Sequence, residues 1–242
     1  MIDLHTHILP GVDDGAPDLE TSVLMAAVAA ESGVTHLVAT PHSNQRGAFE
    51  NYASPALQVR FDCLCAAVRE AGIPLELSLG MEIFGTGDVP KLLREGRLLT
   101  INGGRYLLIE FGFHEDPLRI ERLLDELLAA GYWPVVAHPE RYYGLQRMPN
   151  YLYDWVNRGV VLQVNKGSLF GRFGRGAQAR RLHRQRRASS GCAHAGAAER
   201  VGQFGRVFFR AALRAAAHAQ SRMDPAQRTA ACRPLPAVFL KQ

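Results

Sequence analysis

Hydrophobic and polar positions follow two different spacings along the first two thirds of the chain. Short apolar runs of the kind found in buried strands lie at 2–5, 35–40, 75–83, 106–111, 134–138 and 160–165. Between them, apolar residues recur at the spacing of amphipathic helices over 18–32, 56–71, 116–130 and 151–158. Strands that alternate with helices in this way predict an α/β fold with a parallel sheet, either open or closed into a barrel.

The first predicted helix carries signals for both of its ends. Asp18 is a residue type that caps helix N-termini, because its carboxylate can accept from a free N–H of the first turn. Gly33 follows the last position of the apolar stripe, where glycine commonly ends a helix. We therefore expect this helix to lie between the two residues.

The alternation stops near Gly174. Residues 1–174 hold 14 Lys and Arg against 21 Asp and Glu, whereas residues 175–242 hold 14 against 2. The net charge is thus −7 in the first segment and +12 in the second, which together give +5 for the chain. The second segment is rich in Arg, Ala and Gly and has scarcely a strand-like run, a composition typical of poorly specified structure. A basic segment of this kind can also mark a nucleic-acid-binding tail.

Length and composition narrow the class of protein. The 242 residues fit one large α/β domain, and a hydrophobic share of 47% suffices for a core. No apolar run approaches the roughly 18 residues of a membrane span, and no secretory signal is visible. The four cysteines show neither a disulfide framework nor zinc-ligand spacing. We expect a cytoplasmic protein without membrane insertion.

Side chains that ligate metals lie where the predicted strands end: His5, His7, His42, Glu82, Glu110 and His138. Because the C-terminal ends of parallel strands lie on one face, these six groups should converge. Asp13 or Asp14 would lie above them in the first loop, and spacing does not decide between the two. Mixed imidazole and carboxylate donors suit zinc, manganese or iron, and a carboxylate such as Glu110 can bridge two ions.

Each of these residues also has a plainer interpretation. A single buried His or Glu near a strand end is more often a hydrogen-bonded structural residue than a ligand. Six placements of the same kind are what predict a metal centre. His36 and His114 lie off the pattern, and we assign them no role.

Arg141, three residues after His138, adds a cation that could bind a phosphate oxygen bidentately. The alternative is a salt bridge to Glu140 or Asp154. Three polar residues after the last predicted strand give a fainter signal for the same site: Asn165, Lys166 and Ser168.

A cysteine-dependent phosphatase is a rival interpretation, since Cys63 and Arg69 have the C-x5-R spacing. That chemistry uses a loop whose backbone N–H groups encircle phosphate. Here the intervening residues are apolar and at helical spacing, and a thiolate among them would lack the surroundings that lower its pKa. We therefore do not expect this mechanism.

Several segments, in order, carry a resemblance to a known family: the first 42 residues with LHTHILPGVDDG, then GMEIF, YLLIEF, VVAHPERY and LQVNKGSLFGRFG. They resemble the polymerase-and-histidinol-phosphatase (PHP) superfamily and, more narrowly, its bacterial tyrosine-protein phosphatases of capsule and exopolysaccharide synthesis. The resemblance runs over about residues 1–178. It implies a distorted (β/α)7 barrel with two or three divalent ions, most often Mn²⁺, with Zn²⁺ or Fe as alternatives.

The same resemblance implies an activity and a set of site residues. The activity is hydrolysis of phosphotyrosine on the tail of a polysaccharide-synthesis tyrosine kinase, by attack of metal-bound hydroxide. Arg141 is implied as the catalytic, phosphate-binding arginine. The implied metal ligands are His5, His7, Asp14, His42, Glu82, Glu110 and His138, and the choice of Asp14 over Asp13 comes from the family alone. Self-association as a homo-oligomer is left open.

The chain departs from this family at its C-terminal end. The family closes its site with an Asp-x-His pair, whereas Asp224 is the only aspartate in residues 175–242 and no such pair occurs there. We interpret 1–178 as the phosphatase domain and 179–242 as an irregular tail produced by a frameshift near Gln178. The last strand and helix of the barrel would then be missing or disrupted, and activity or folding reduced. An intact frame on resequencing would contradict this hypothesis.

Two other functions remain as alternatives. One is a different PHP phosphoesterase, of the histidinol-phosphate type, or an inactive truncated relative. The other is a binding protein whose basic tail contacts nucleic acid or an acidic polymer, with a steep salt dependence. Aromatic residues are sparse among the arginines of the tail, so that we do not expect nucleic acid as a partner.

Overall fold

The computed structural model describes residues 1–165, Ser168 and the strand at 238–241. These residues form two compact units. The first comprises Met1–Gly112, Leu118–Ala137 and Lys241. The described part of the second comprises Phe113–Pro117, 138–165, Ser168 and 238–240. The predicted boundary between residues 178 and 179 lies outside the described residues and stays a prediction.

The first unit is built on parallel strands. In chain order they are β1 (Ile2–Thr6), β2 (His36–Ala39), β3 (His42–Ser43), β4 (Glu76–Leu79), β5 (Glu82–Phe84), β6 (Tyr106–Glu110) and β7 (Trp133–Ala137). One sheet has the order β1-β2-β4, and in the other β3, β5, β6 and β7 follow one another. Neighbouring strands pair in parallel, which confirms the predicted α/β class.

Helices connect these strands. They are α1 (Leu19–Glu31), α2 (Pro55–Glu70), α3 (Val89–Arg94), α4 (Pro117–Ala129), α5 (Tyr143–Arg147) and α6 (Asn150–Asn157), with 3-10 turns at Ile101–Gly103 and Pro139–Arg141. The sequence did not predict α3, α5 or the turns, because they are too short to show a helical period. None of the helices in the described residues is long and apolar enough to cross a membrane.

The predicted boundaries of α1 are confirmed. Asp18 is the N-cap, and its Oδ1 accepts from the backbone N–H of Thr21 at 2.8 Å. Gly33, just past the end of the helix, has a φ of +87°, a left-handed conformation that glycine adopts without steric cost. Local sequence chemistry therefore fixes both ends of this helix.

The apolar run 75–83, predicted as one strand, is divided into β4 and β5. The division lies opposite Pro41, which has no N–H to donate to the ladder. Parallel pairing resumes directly after this point, because the N–H of Glu82 donates to the carbonyl of Pro41 at 3.0 Å. Glu82 therefore begins a strand, where we had predicted that it ends one, and it pairs in register with His42.

The core strands of the first unit are buried almost throughout. In β6 and β7 only the first residue of each strand is partly exposed, and the four that follow are buried. Burial of successive residues is the pattern of parallel strands covered on both faces. It carries Glu110, the last residue of β6, into the interior at the end of its strand.

The second unit contains two further strands. They are β8 (Val161–Asn165) and β9 (Val238–Lys241, whose last residue belongs to the first unit), and they are neighbours in sheet order. The sequence predicted β8 but no strand beyond it. The strand at 238–241 was therefore missed, in a segment that we had interpreted as irregular.

Candidate metal centre

His5 and His7 stand together at the end of β1. Between Asp3 and Thr6 the pairing of β1 with β2 shifts by one residue, so that an irregularity of the β-bulge kind precedes the second histidine. Bulges next to functional sites commonly redirect a side chain. Here the two Nε2 atoms lie 3.3 Å apart, as the alternation of His-x-His predicted.

Glu82 lies at the centre of the histidines. Its Oε2 is 2.9 Å from His5 Nε2, 3.1 Å from His7 Nε2 and 3.3 Å from His42 Nδ1. The side chain is only 1% exposed. A buried carboxylate is stable only when it is paired or coordinates a cation, and this one faces three imidazole rings on a single oxygen.

His42 connects Glu82 to the other carboxylates. Its Nδ1 is 2.9 Å from Glu110 Oε1, and its Nε2 is 3.6 Å from Asp14 Oδ1. Phe49 stacks on the ring, with centroids 5.2 Å apart and planes within 10°. Burial works to lower the pKa of His42, but the hydrogen bond with Glu110 and the charge of Glu82 outweigh it and raise the pKa above its usual value.

Three overlapping groups of donors result in the described part of the chain: His5 with His7 and Glu82, His7 with Asp14 and His42, and His42 with Glu82 and Glu110. Within each group the ligand atoms lie within 4.8 Å of one another. Nitrogen and oxygen donors in this mixture suit zinc, manganese or iron. The donor set therefore fits divalent cations, and because each group shares residues with another, it fits neighbouring ions.

Asp13 and Asp14, between which sequence spacing could not decide, have different surroundings in the structure. Asp14 is 67% exposed and faces His42, whereas the Asp13 carboxylate is fully buried behind His7. Asp13 Oδ2 lies 2.7 Å from His7 Nδ1. Burial works to raise the pKa of Asp13, but the hydrogen bond from His7 and those from two backbone N–H groups outweigh it and lower the pKa.

Gly15 allows the loop that carries Asp13 and Asp14 to pass close to His7 at the end of β1. A Cβ at Gly15 would lie 2.1 Å from the carbonyl oxygen of His7 and 2.4 Å from its Cβ. We expect Gly15→Ala to destabilise the protein by about 1–3 kcal/mol or more, as overpacking in a filled site does. The measurement is denaturant unfolding. Gly87→Ala is the matched control, since a Cβ there meets nothing within 4 Å; equal stability of the two variants would contradict the described packing.

His138 and Arg141 belong to the second unit. His138 directly follows β7 and has a φ of 33°, a left-handed backbone that costs about 1–3 kcal/mol for a non-glycine residue and persists mainly at functional sites. Its N–H donates to Gln163 Oε1 at 3.2 Å. The guanidinium of Arg141 lies 5.0 Å from the ring centre of Phe113, within cation–π distance.

Glu140, considered above as a salt-bridge partner of Arg141, accepts hydrogen bonds from two other residues. Its Oε1 accepts from the backbone N–H of Asn165 at 3.2 Å and from Ser168 Oγ at 2.7 Å. Burial raises the pKa of Glu140 despite these hydrogen bonds. Asn165 and Ser168 thus hold Glu140, whereas Lys166, the third polar residue predicted there, lies outside the described residues.

The first unit brings together most of the predicted ligands: His5, His7, Asp14, His42, Glu82 and Glu110. That His138 and Arg141 join the same centre stays a prediction. The cysteine-dependent alternative fails, because Cys63 and Arg69 lie within the continuous helix α2. His36, left without a role, contacts Ser78 and Glu76 outside the donor groups.

Three residues that hold predicted site histidines were not predicted from the sequence. Asp13 was considered only as a ligand, Phe49 lies in a loop without a recognisable motif, and Gln163 is an inward-facing residue of a strand. For Asp13, the only signal in the sequence was its place next to Asp14, a predicted ligand. The other two depend on contacts between residues that are distant in sequence.

The chain is similar to proteins of capsular polysaccharide synthesis. The family model described as "Capsular polysaccharide synthesis, CpsB/CapC" matches residues 1–187. Tyrosine-protein phosphatase YwqE from Bacillus subtilis is 41% identical over 175 residues, which cover 72% of this chain and 68% of that protein. Tyrosine-protein phosphatase CpsB from Streptococcus pneumoniae is 34% identical over 169 residues, covering 68% and 67%.

A solved structure agrees with these matches. It comes from a study of YwqE from Bacillus subtilis and CpsB from Streptococcus pneumoniae, described there as unique metal-dependent tyrosine phosphatases. The TM-score is 0.67 at 40% sequence identity, over 75% of this chain and 73% of the other.

Proposed function

The chain belongs to the CpsB/CapC family of capsular polysaccharide synthesis, and from this premise we propose that it is a metal-dependent protein-tyrosine phosphatase. The observation that carries the proposal is the convergence of His5, His7, His42, Glu82 and Glu110 around shared oxygen and nitrogen atoms. Sites of this kind hydrolyse phosphate esters with the help of bound divalent ions.

We assign the ligand roles by residue as part of the same proposal. The ligands are His5, His7, Asp14, His42, Glu82, Glu110 and His138, for two or three ions, with Mn²⁺ first among the candidates. Divalent ions held there supply Lewis-acid stabilisation of phosphoryl charge and activation of a water molecule as nucleophile. The overlap of the three donor groups supports more than one ion, since His7, His42 and Glu82 each belong to two of the groups.

Arg141 is the residue proposed to bind the phosphoryl group. A guanidinium donates two parallel N–H bonds to two phosphate oxygens, which orients the group as well as neutralising it. The ring of Phe113 beside the guanidinium supports its orientation. The Glu140 carboxylate, held by Asn165 and Ser168, fixes the turn that carries Arg141.

In the proposed mechanism, Phe49 holds the ring of His42 in position. Its ring covers one face of the imidazole and excludes water from that face. The Nδ1 edge of the same ring is directed at Glu82 and Glu110. His42 is thereby held in one orientation between the two carboxylates.

The proposed substrate is phosphotyrosine on a tyrosine kinase of polysaccharide synthesis. Support comes from the names of the relatives, which are tyrosine-protein phosphatases, and from the family description. A cytoplasmic location is a prediction from the sequence that goes with this proposal, and self-association stays open.

Hydrolysis assays on the purified full chain test the proposal. We expect phosphate release from a phosphotyrosine peptide in the presence of Mn²⁺, and none after chelation and buffer exchange. Histidinol phosphate, assayed beside it, should be the poorer substrate by kcat/KM. Metal-independent release, or a preference for histidinol phosphate, would contradict the proposed function.

A further inference from the structure

We propose that Asp13 is a positioning residue that determines which nitrogen His7 presents to a bound cation. This inference rests on the proposed function, because it concerns the same centre. Asp13 is not one of the proposed ligands. Its carboxylate instead lies behind one of them, in the layer that orients ligands in metal sites.

The contact with His7 defines the protonation of the ring. Asp13 Oδ2 lies 2.7 Å from His7 Nδ1, and the Asp13 side chain is fully buried. An ionised carboxylate can only accept, so that the proton of a neutral imidazole is held on Nδ1. The lone pair is then on Nε2, the atom that lies 3.1 Å from Glu82 Oε2 and 3.3 Å from His5 Nε2.

The same carboxylate connects three segments of the site. Its Oδ2 also accepts from the backbone N–H of His42 at 2.9 Å, and its Oδ1 accepts from the N–H of Gly15 at 3.0 Å. His42 lies in β3, His7 follows β1, and Gly15 is next to Asp14. One buried group therefore holds the ring of His7 and the backbone of His42, which between them contribute to all three donor groups.

His7 Nδ1 and the backbone N–H groups of His42 and Gly15 all donate to the Asp13 carboxylate, and this makes the site sensitive to an isosteric change. In Asp13→Asn, one of the two positions becomes an NH₂ group. If that group faces Gly15, it meets a donor; if it faces His7 and His42, it meets the backbone N–H of His42 and forces the proton of His7 onto Nε2. Either orientation disturbs the site without changing its volume.

Metal titration of the full chain tests the inference. We expect metal-stripped Asp13→Asn to bind Mn²⁺ about 10–100-fold more weakly than the unmodified protein in calorimetry, the usual cost of losing an outer hydrogen-bond partner. Asp18→Asn is the matched control, with the same charge change at an exposed helix cap that Asn also satisfies. It should bind Mn²⁺ as the unmodified protein does.

A second measurement needs no variant and so stands even if Asp13→Asn folds poorly. Long-range ¹H–¹⁵N spectra of the unmodified protein loaded with Zn²⁺ report which nitrogen of His7 carries the proton. Protonation on Nδ1 supports the inference, and protonation on Nε2 overturns it. Unchanged Mn²⁺ affinity in Asp13→Asn, or the absence of Mn²⁺ binding by the unmodified protein, overturns it as well.

These outcomes are separate from those of the proposed function. A protein that binds Mn²⁺ with His7 protonated on Nδ1, yet does not hydrolyse phosphotyrosine, would remove the proposed activity and leave the role of Asp13 intact. Metal-dependent hydrolysis together with an unaffected Asp13→Asn would do the reverse.

Discussion

His42→Ala is expected to lower kcat/KM for a phosphotyrosine peptide by about 10³-fold, the upper end of what loss of one preorganised electrostatic group costs. The reason is the position of His42 between groups. Its ring faces Glu82 and Glu110 through Nδ1 and Asp14 through Nε2, so that one substitution disrupts two donor groups. Steady-state hydrolysis at saturating Mn²⁺, together with metal analysis of the purified variant, measures the effect.

His36→Ala is the matched control for this prediction. His36 is a histidine of the neighbouring strand β2, and its ring contacts Ser78 and Glu76 outside the donor groups. We expect it to keep its metal content and most of its activity. If His42→Ala keeps both its activity and its metal content, His42 is not a ligand and the proposed centre is wrong.

Arg141→Ala is expected to have the second-largest effect, a loss of about 10²–10³-fold in kcat/KM, because a group that neutralises phosphoryl charge is removed. Arg141→Lys should recover little of it. A lysine keeps the charge but cannot form two parallel hydrogen bonds to a phosphate, nor stack on the ring of Phe113 as a planar guanidinium does. Steady-state kinetics with the phosphotyrosine peptide give the comparison.

Metal binding distinguishes this role from that of the ligands. Both Arg141 variants should bind Mn²⁺ as the unmodified protein does, since a guanidinium does not ligate cations. Arg147→Ala, an exposed arginine of α5, is the control for loss of a nearby positive charge. Arg141→Lys with full activity would show that a point charge suffices and would contradict bidentate binding.

Much of the fold could be predicted because its signals are local. The apolar runs of β1, β2 and β6 lie where strands form, and Asp18 with Gly33 bounds α1 as their backbone chemistry requires. The convergence of donors followed from one rule, that the C-terminal ends of parallel strands lie on one face. That rule placed Glu110 correctly at the buried end of β6.

Features that depend on contacts distant in sequence could not be predicted. Glu82 begins β5 because Pro41, 41 residues earlier, interrupts the ladder in the neighbouring strand. Asp13 and Asp14 are adjacent and chemically identical in the sequence, yet one is buried behind His7 and the other is exposed. Only the path of the loop, set in part by the close approach of Gly15, separates them.

Anomalous diffraction from crystals of the full chain grown with Mn²⁺ would locate the ions of the proposed metal centre. We expect peaks at about 2 Å from the imidazole nitrogens of His5, His7 and His42 and from the carboxylate of Glu82, as in protein sites with these ligand types. A map without a peak among these four side chains, at full Mn²⁺ saturation, would contradict it.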